Sequence, residues 1–153
     1  MTLSELVQHD AVLPQLAARD RDSVIRELIG TLVQCGAIDA DSAQILAKAA
    51  IDREKKGSTG FGKGVAIPHV KHKSVRKPVA AIGNSASGID FKSLDSQPVY
   101  SVFLLLSPEN ADQHLAAMNI IWPKLNNDRF RKFLRQAKTR QEIIDLLAEA
   151  QGM

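Results

Sequence analysis

VYSVFLLL, residues 99–106, decides the fold. It has the length of a strand and lacks the polar alternation of a strand with one wet face. A strand that is apolar toward both sides belongs inside a sheet covered above and below, as in α/β domains. Pro108 closes the run, and Asn110 or Asp112 can cap a helix over about 110–125. His114 falls in the first turn of that helix, from which a side chain points back toward the strand's C-terminal end. That edge of an open α/β sheet is where ligands bind.

Upstream, GVAIPHVKH (64–72) is a glycine-opened apolar run that reads as a strand over 64–70. Pro68 is expected to end its pairing, leaving His69 at a strand end with a fixed backbone and an imidazole that can reach solvent. A further strand is expected at 79–85. From Asp20, DRDSVIRELIGTLVQCG sets Val24, Ile25, Leu28, Ile29, Leu32 and Val33 on one helical stripe. Asp20 or Asp22 can cap its start and Gly36 can close it in a left-handed conformation. A second helix is expected from about Asp41 to before Gly57, with Ile45, Leu46, Ala49 and Ala50 as its inner face. GSTGFGKG, 57–64, reads as a loop.

Toward the C-terminus, helices are expected at 128–137 and 139–150, the last opened by a Thr139–Glu142 capping box. Pro123 should kink or shorten the helix that holds Leu115, Met118, Ile121 and Leu125. Helices, then strands, then helices again indicate an α/β fold, a single domain over 1–153 whose sheet is covered on both faces. There is no repeat, low-complexity tract or linker that would mark a second domain.

Composition excludes several classes of function. A hydrophobic fraction of 44% and a charged fraction of 24% are those of an ordinary globular chain. No stretch is long and apolar enough for membrane insertion, and MTLSELVQHD is not a signal peptide. The single cysteine, Cys35, rules out an internal disulfide and fits a reducing, cytoplasmic compartment; among apolar helical neighbours it reads as core filler. The net charge is +3, with basic clusters at Lys71, Lys73, Arg76 and Lys77 and at Arg129, Arg131, Lys132 and Arg135. Acids are interspersed and aromatics amount to only 5%, so these are solvated basic faces and no nucleic-acid partner is expected.

The chemistry narrows in the same way. GSTGFGKG lacks P-loop spacing; it is either a connector or a loop whose amides converge on an anion. No G-x-S-x-G elbow occurs, and no histidine lies near Cys35 in sequence. His69, His72 and His114 could be imagined as zinc ligands. However, residues three apart on a strand face opposite sides, and no cysteine cluster or paired helical histidines supplement them, so no metal is expected. A phosphoryl-accepting histidine fits better. An unperturbed imidazole titrates near pH ~6.5, so its neutral, nucleophilic form is available. Phosphoryl transfer asks mainly for aligned donors around the moving charge. Backbone amides near His69, the Thr59 hydroxyl, Arg53 and His114 could supply them, without metal, nucleotide or other cofactor.

The run from Arg53 to His69, RExxGSTGxGxGVAIPH, closely resembles the signature of the enzyme IIA domains of the bacterial phosphotransferase system, of the fructose/mannitol and nitrogen-regulatory class. The similarity extends through LSEL near the N-terminus, GIDFKSLD (88–95), PVYSVFLLLSP, the helix start at His114 and DRFRKFLRQAKTRQEIIDLL. It implies a mixed sheet flanked by helices on both faces, an α/β/α sandwich. It also implies that His69 takes a phosphoryl group on Nε2 from an HPr-like phosphocarrier and passes it to a IIB component or serves a regulatory protein target. His114 then corresponds to the family's second histidine, which hydrogen-bonds the phosphate. Arg53 and Glu54 correspond to its RE pair, with Arg53 near the phosphate. Thr59, Gly60 and Gly62 fall in the phosphate-binding loop, and His72 has no counterpart. A stand-alone nitrogen-regulatory protein is the expected type. Its alternatives are a sugar-specific IIA component and a binding module that no longer transfers phosphate. IIWPKL (120–125) departs from the family's uninterrupted aliphatic helix, and Lys71–Lys77 is an unusual surface to meet a basic phosphocarrier.

Overall fold

A computed structural model describes residues 1–150; residues 151–153 of the expected domain lie outside the described part. The elements in chain order are α1 (Leu3–Leu6), β1 (Val7–Leu13), α2 (Arg21–Gln34), a 3-10 turn (Ala40–Ser42) and α3 (Ala43–Lys56). Then come β2 (Gly60–Gly62), β3 (Val65–Ala66), β4 (His69–Lys71), β5 (Val79–Ile89), β6 (Val99–Ser107), α4 (Ala111–Leu125), α5 (Asp128–Gln136) and α6 (Arg140–Glu149). The strands form one six-stranded mixed sheet in the order β1-β5-β6-β3-β2, with β4 also paired to β6.

β6 is the central strand, and its side chains divide between two cores because successive residues point to opposite faces. Val102, Leu104 and Leu106 join Leu28, Leu32, Leu46 and Ala50 of α2 and α3. Phe103 and Leu105 join Leu6, Ile121, Phe130, Leu134 and Leu147 from the helices on the other face. Each of these residues is fully buried. The missing alternation of VYSVFLLL thus has its expected cause, and the α/β/α arrangement is the observed one.

Several local expectations need correction. Pro68 does not end the pairing. Val65 lies opposite Ser101, and His69 opposite Leu105, so the offset from β6 is the same on both sides of the proline. Proline removes a donor but keeps its acceptor, and the Pro68 carbonyl still receives Leu105 N–H at 2.9 Å. The 57–64 segment is not all loop. Gly60–Gly62 pairs antiparallel with Val65–Ala66, and the turn between them has positive φ at Lys63 (63°) and Gly64 (79°), as a two-residue hairpin turn requires.

α3 is rotated by one residue from the expected face. Leu46, Ala47, Ala50, Ile51 and Glu54 are buried, and Ile45 is exposed. The buried line ends in a carboxylate, which an apolar stripe cannot anticipate. Pro123 does not end α4 early. Ile121 and Leu125 are buried before and beyond it, and Arg131 donates to the Leu125 carbonyl at 2.8 Å, securing the last turn. Leu115, expected on the inner face, is exposed. β1 was not foreseen, because Gln8, His9 and Asp10 interrupt its pattern; it runs parallel to β5 at the sheet edge with an irregular register.

The helix ends behave as their residues dictate. Asp20, Asn110 and Thr139 accept backbone N–H groups from the first turns of α2, α4 and α6. Gly36 follows α2 with φ 79°.

Candidate functional site

Two strands and one helix bring two imidazoles together. His69 stands in β4, two residues before its C-terminal end, and His114 in the first turn of α4. Their ring centroids are 5.4 Å apart with planes inclined at 36°. The His114 ring reaches back to the end of β6, where its Nδ1 lies 2.8 Å from Ser107 Oγ.

The protonation pattern of His69 follows from its partner. Nδ1 is 2.7 Å from the Ile67 carbonyl oxygen, which can only accept, so Nδ1 carries the hydrogen. Neutral His69 therefore presents a lone pair on Nε2. Ile67 is itself tied back, because its N–H donates to the Thr59 carbonyl at 3.3 Å.

Thr59 is held from below by Glu54. Both carboxylate oxygens receive Thr59 N–H, at 3.3 and 3.1 Å, and Thr59 Oγ1 also donates to Glu54 Oε1. Glu54 is only 2% exposed, so these bonds compensate a buried carboxylate. A continuous chain of bonds thus runs from α3 through Thr59 and Ile67 to the His69 ring.

The other sequence candidates are placed differently. Arg53 is exposed and donates to the Gly57 carbonyl at 2.8 Å; among the described residues no hydrogen bond joins it to either imidazole. The Gly60 N–H is committed to Ser58 Oγ at 2.9 Å. Gly62 lies at the hairpin turn, paired with Val65, whose neighbour Ser101 is four residues along β6 from Leu105. Four residues of strand are ~13 Å, so Gly62 is well removed from His69. His72 is taken up locally: its Nδ1 receives Ser74 N–H at 3.0 Å.

Burial pushes the His114 pKa down to about 4, with the His69 ring and the Lys71 ammonium adding smaller effects in the same direction. His114 is accordingly neutral at pH 7 and sets no positive charge against the His69 ring.

Sequence reasoning paired His69 with His114 but overlooked Ser107 and the anchoring role of Glu54. Glu54 could have been found from its i, i+4, i+8 spacing with Leu46 and Ala50. Ser107 gave no signal of its own; a serine ending a strand is ordinary until a ring is seen against it.

The family model for the phosphoenolpyruvate-dependent sugar phosphotransferase system, EIIA 2, matches residues 5–150. A nitrogen regulatory protein of Bradyrhizobium diazoefficiens is 34% identical over 149 residues, covering 97% of this chain and 95% of that protein. The fructose-specific EIIABC component of Bacillus subtilis is 34% identical over 148 residues, 96% of this chain, but the chain spans only 23% of that protein. The crystal structure of nitrogen regulatory protein IIA-Ntr from Neisseria meningitidis superposes with a TM-score of 0.83 at 27% identity, covering 95% of this chain and 98% of that one. Among the described residues, no helix is long and apolar enough to cross a membrane.

Proposed function

The chain belongs to the EIIA 2 family of the phosphoenolpyruvate-dependent sugar phosphotransferase system, and within it we propose a phosphoryl carrier that accepts on Nε2 of His69. The observation that carries this reading is the Nδ1–H to Ile67 carbonyl bond, which leaves Nε2 as the nucleophilic atom. In the transfer, the Nε2 lone pair attacks the phosphorus of a phosphorylated HPr-like carrier. The new N–P bond forms as the carrier's bond to phosphorus breaks, and the carrier leaves with that electron pair. His69 keeps its Nδ1 hydrogen, so the phosphorylated ring gains positive character, which the Ile67 carbonyl stabilises through a charge-assisted bond.

His114, its ring centroid 5.4 Å from that of the accepting ring, is placed to donate to the incoming phosphoryl oxygens. Being neutral, it stabilises them with a hydrogen bond rather than a full charge. A carrier benefits from that restraint, since a phosphoryl group held too tightly would not move on. Thr59, through Glu54 and Ile67, fixes the acceptor's backbone. Arg53, which lies within the family signature and has an exposed side chain, is assigned as a further phosphate ligand on that resemblance.

A nitrogen-regulatory role is supported by the similarity over 95% of the Bradyrhizobium protein. A sugar-specific role, with a IIB component as the next acceptor, is supported by the fructose-specific relative. The cytoplasm, where such carriers would be met, remains part of the proposal.

The test is incubation with phosphoenolpyruvate, enzyme I and HPr, followed by mass analysis at neutral pH. A single acid-labile phosphoryl adduct on His69, absent from His69→Ala, is expected. No adduct on the wild-type protein with competent upstream proteins would overturn the reading.

A further inference from the structure

The Ser107 hydroxyl is fully buried at the end of β6. A buried hydroxyl hydrogen needs an acceptor. Among the described residues its one hydrogen-bond neighbour is His114 Nδ1, at 2.8 Å. If Nδ1 carried the hydrogen, it would donate to Ser107 Oγ and the hydroxyl hydrogen would be left buried without a partner, which is costly. If Nδ1 carries a lone pair, the hydroxyl donates to it and both groups are satisfied. The second arrangement forces the ring hydrogen of His114 onto Nε2.

We propose that Ser107 is a positioning residue that locks His114 as its Nε2–H tautomer, so that His114 offers a donor rather than a lone pair to the phosphoryl group on His69. This rests on the phosphoryl-carrier reading for its consequence, but not for its cause, since the lock exists before any phosphoryl group arrives. The two rings are consequently set in complementary states. The Ile67 carbonyl holds the hydrogen of His69 on Nδ1 and exposes a lone pair on Nε2, whereas Ser107 holds the lone pair of His114 on Nδ1 and exposes a hydrogen on Nε2. One strand end therefore makes an acceptor for phosphorus and a donor for its oxygens from the same residue type. Neutrality of His114 at pH 7 is what allows a tautomer to matter, because a doubly protonated ring would donate from both nitrogens.

The backbone of Ser107 also serves the site. It pairs with Lys71 at the end of β4, and its carbonyl accepts His72 N–H at 2.9 Å. The strand carrying His69 and the hydroxyl that orients His114 are therefore fixed to one another.

Nitrogen-15 NMR of the imidazoles, recorded without a phosphoryl donor, reads the tautomer directly. The wild-type protein is expected to show His114 as Nε2–H. Ser107→Ala should shift it to a mixture or to Nδ1–H, with His69 unchanged, and Ser107→Thr, which keeps the hydroxyl, should restore it. Phosphoryl uptake from phospho-HPr should slow ~10-fold in Ser107→Ala, as expected when an oriented donor is lost, and recover in Ser107→Thr. An Nδ1–H tautomer in the wild-type protein, or one that Ser107→Ala leaves unchanged, would overturn the lock. An unchanged uptake rate with an altered tautomer would overturn the positioning role. Failure of His69 to accept phosphate at all would show in the wild-type uptake and leave the tautomer result standing.

Discussion

His114 has a pKa of about 4 because its ring is partly withdrawn from water against β6. Its folded-state value lies below the ~6.5 of an unfolded histidine. As pH falls, the unfolded chain therefore takes up this proton first, and the equilibrium moves toward unfolding. Above pH ~6.5 both states are neutral and His114 has no effect on the balance. Between ~6.5 and about 4 stability is lost, and below about 4 the loss levels off. Urea midpoints measured between pH 7 and 4 should consequently fall further for the wild-type protein than for His114→Gln. Equal falls would mean that the ring titrates as in an unfolded chain. The functional counterpart is at His69, where replacement by alanine is expected to abolish phosphoryl uptake while far-UV circular dichroism stays the same. At this scale the sequence singled out the two rings that the fold brings together. It could not reveal their hydrogens, which depend on the Ile67 carbonyl and the Ser107 hydroxyl brought against them.

Prolines mark where element-scale reading was too simple. Both Pro68 and Pro123 were expected to interrupt, yet β6 registers across the first and α4 continues through the second. In each case neighbouring structure outweighs one missing donor: the Pro68 carbonyl still accepts from Leu105, and burial of Ile121 and Leu125 holds the helix. Tolerance is not stabilisation, however. Pro123 is exposed and deprives the Asn119 carbonyl of its i+4 donor. Pro123→Ala should raise stability by ~1 kcal/mol, less than the full helix-interior penalty because the position is near a helix end. Urea denaturation measures it, and a destabilised variant would mean that the proline ring packs to a purpose. The phase of α3 gives the complementary lesson. An apolar stripe placed Ile45 inward, but the buried line runs Leu46, Ala50, Glu54, because the carboxylate is needed beneath Thr59.

Across the whole molecule, one sheet separates two apolar clusters, and β5 and β6 contribute to both. Neither cluster can dissolve without exposing the opposite sides of the same strands, so unfolding should be a single cooperative step. Trp122 is the sole tryptophan, on α4 with its ring 4.4 Å from Phe61 of β2. Its fluorescence reports the helical face opposite α2 and α3, while circular dichroism reports the whole. Coincident urea transitions are expected; a Trp122 transition at lower urea would show that α4 detaches first. The basic surface is distributed at the same scale. Lys71 lies two residues beyond His69 and acts on His114, so that part of the Lys71–Lys77 cluster borders the site.

Apolar periodicity, capping residues and the glycine-to-histidine signature by themselves determined the layered α/β fold, the helix ends and the choice of His69 and His114. These are local properties, set by side-chain spacing and backbone preference along the chain. Only the tertiary structure decided that β1 joins the sheet edge and that Gly62 stands away from the histidines. It alone decided that Glu54 is buried under Thr59 and that Ser107 meets the His114 ring. Such facts depend on which unsatisfied donor finds which acceptor once the sheet has closed, and no spacing along the chain encodes that.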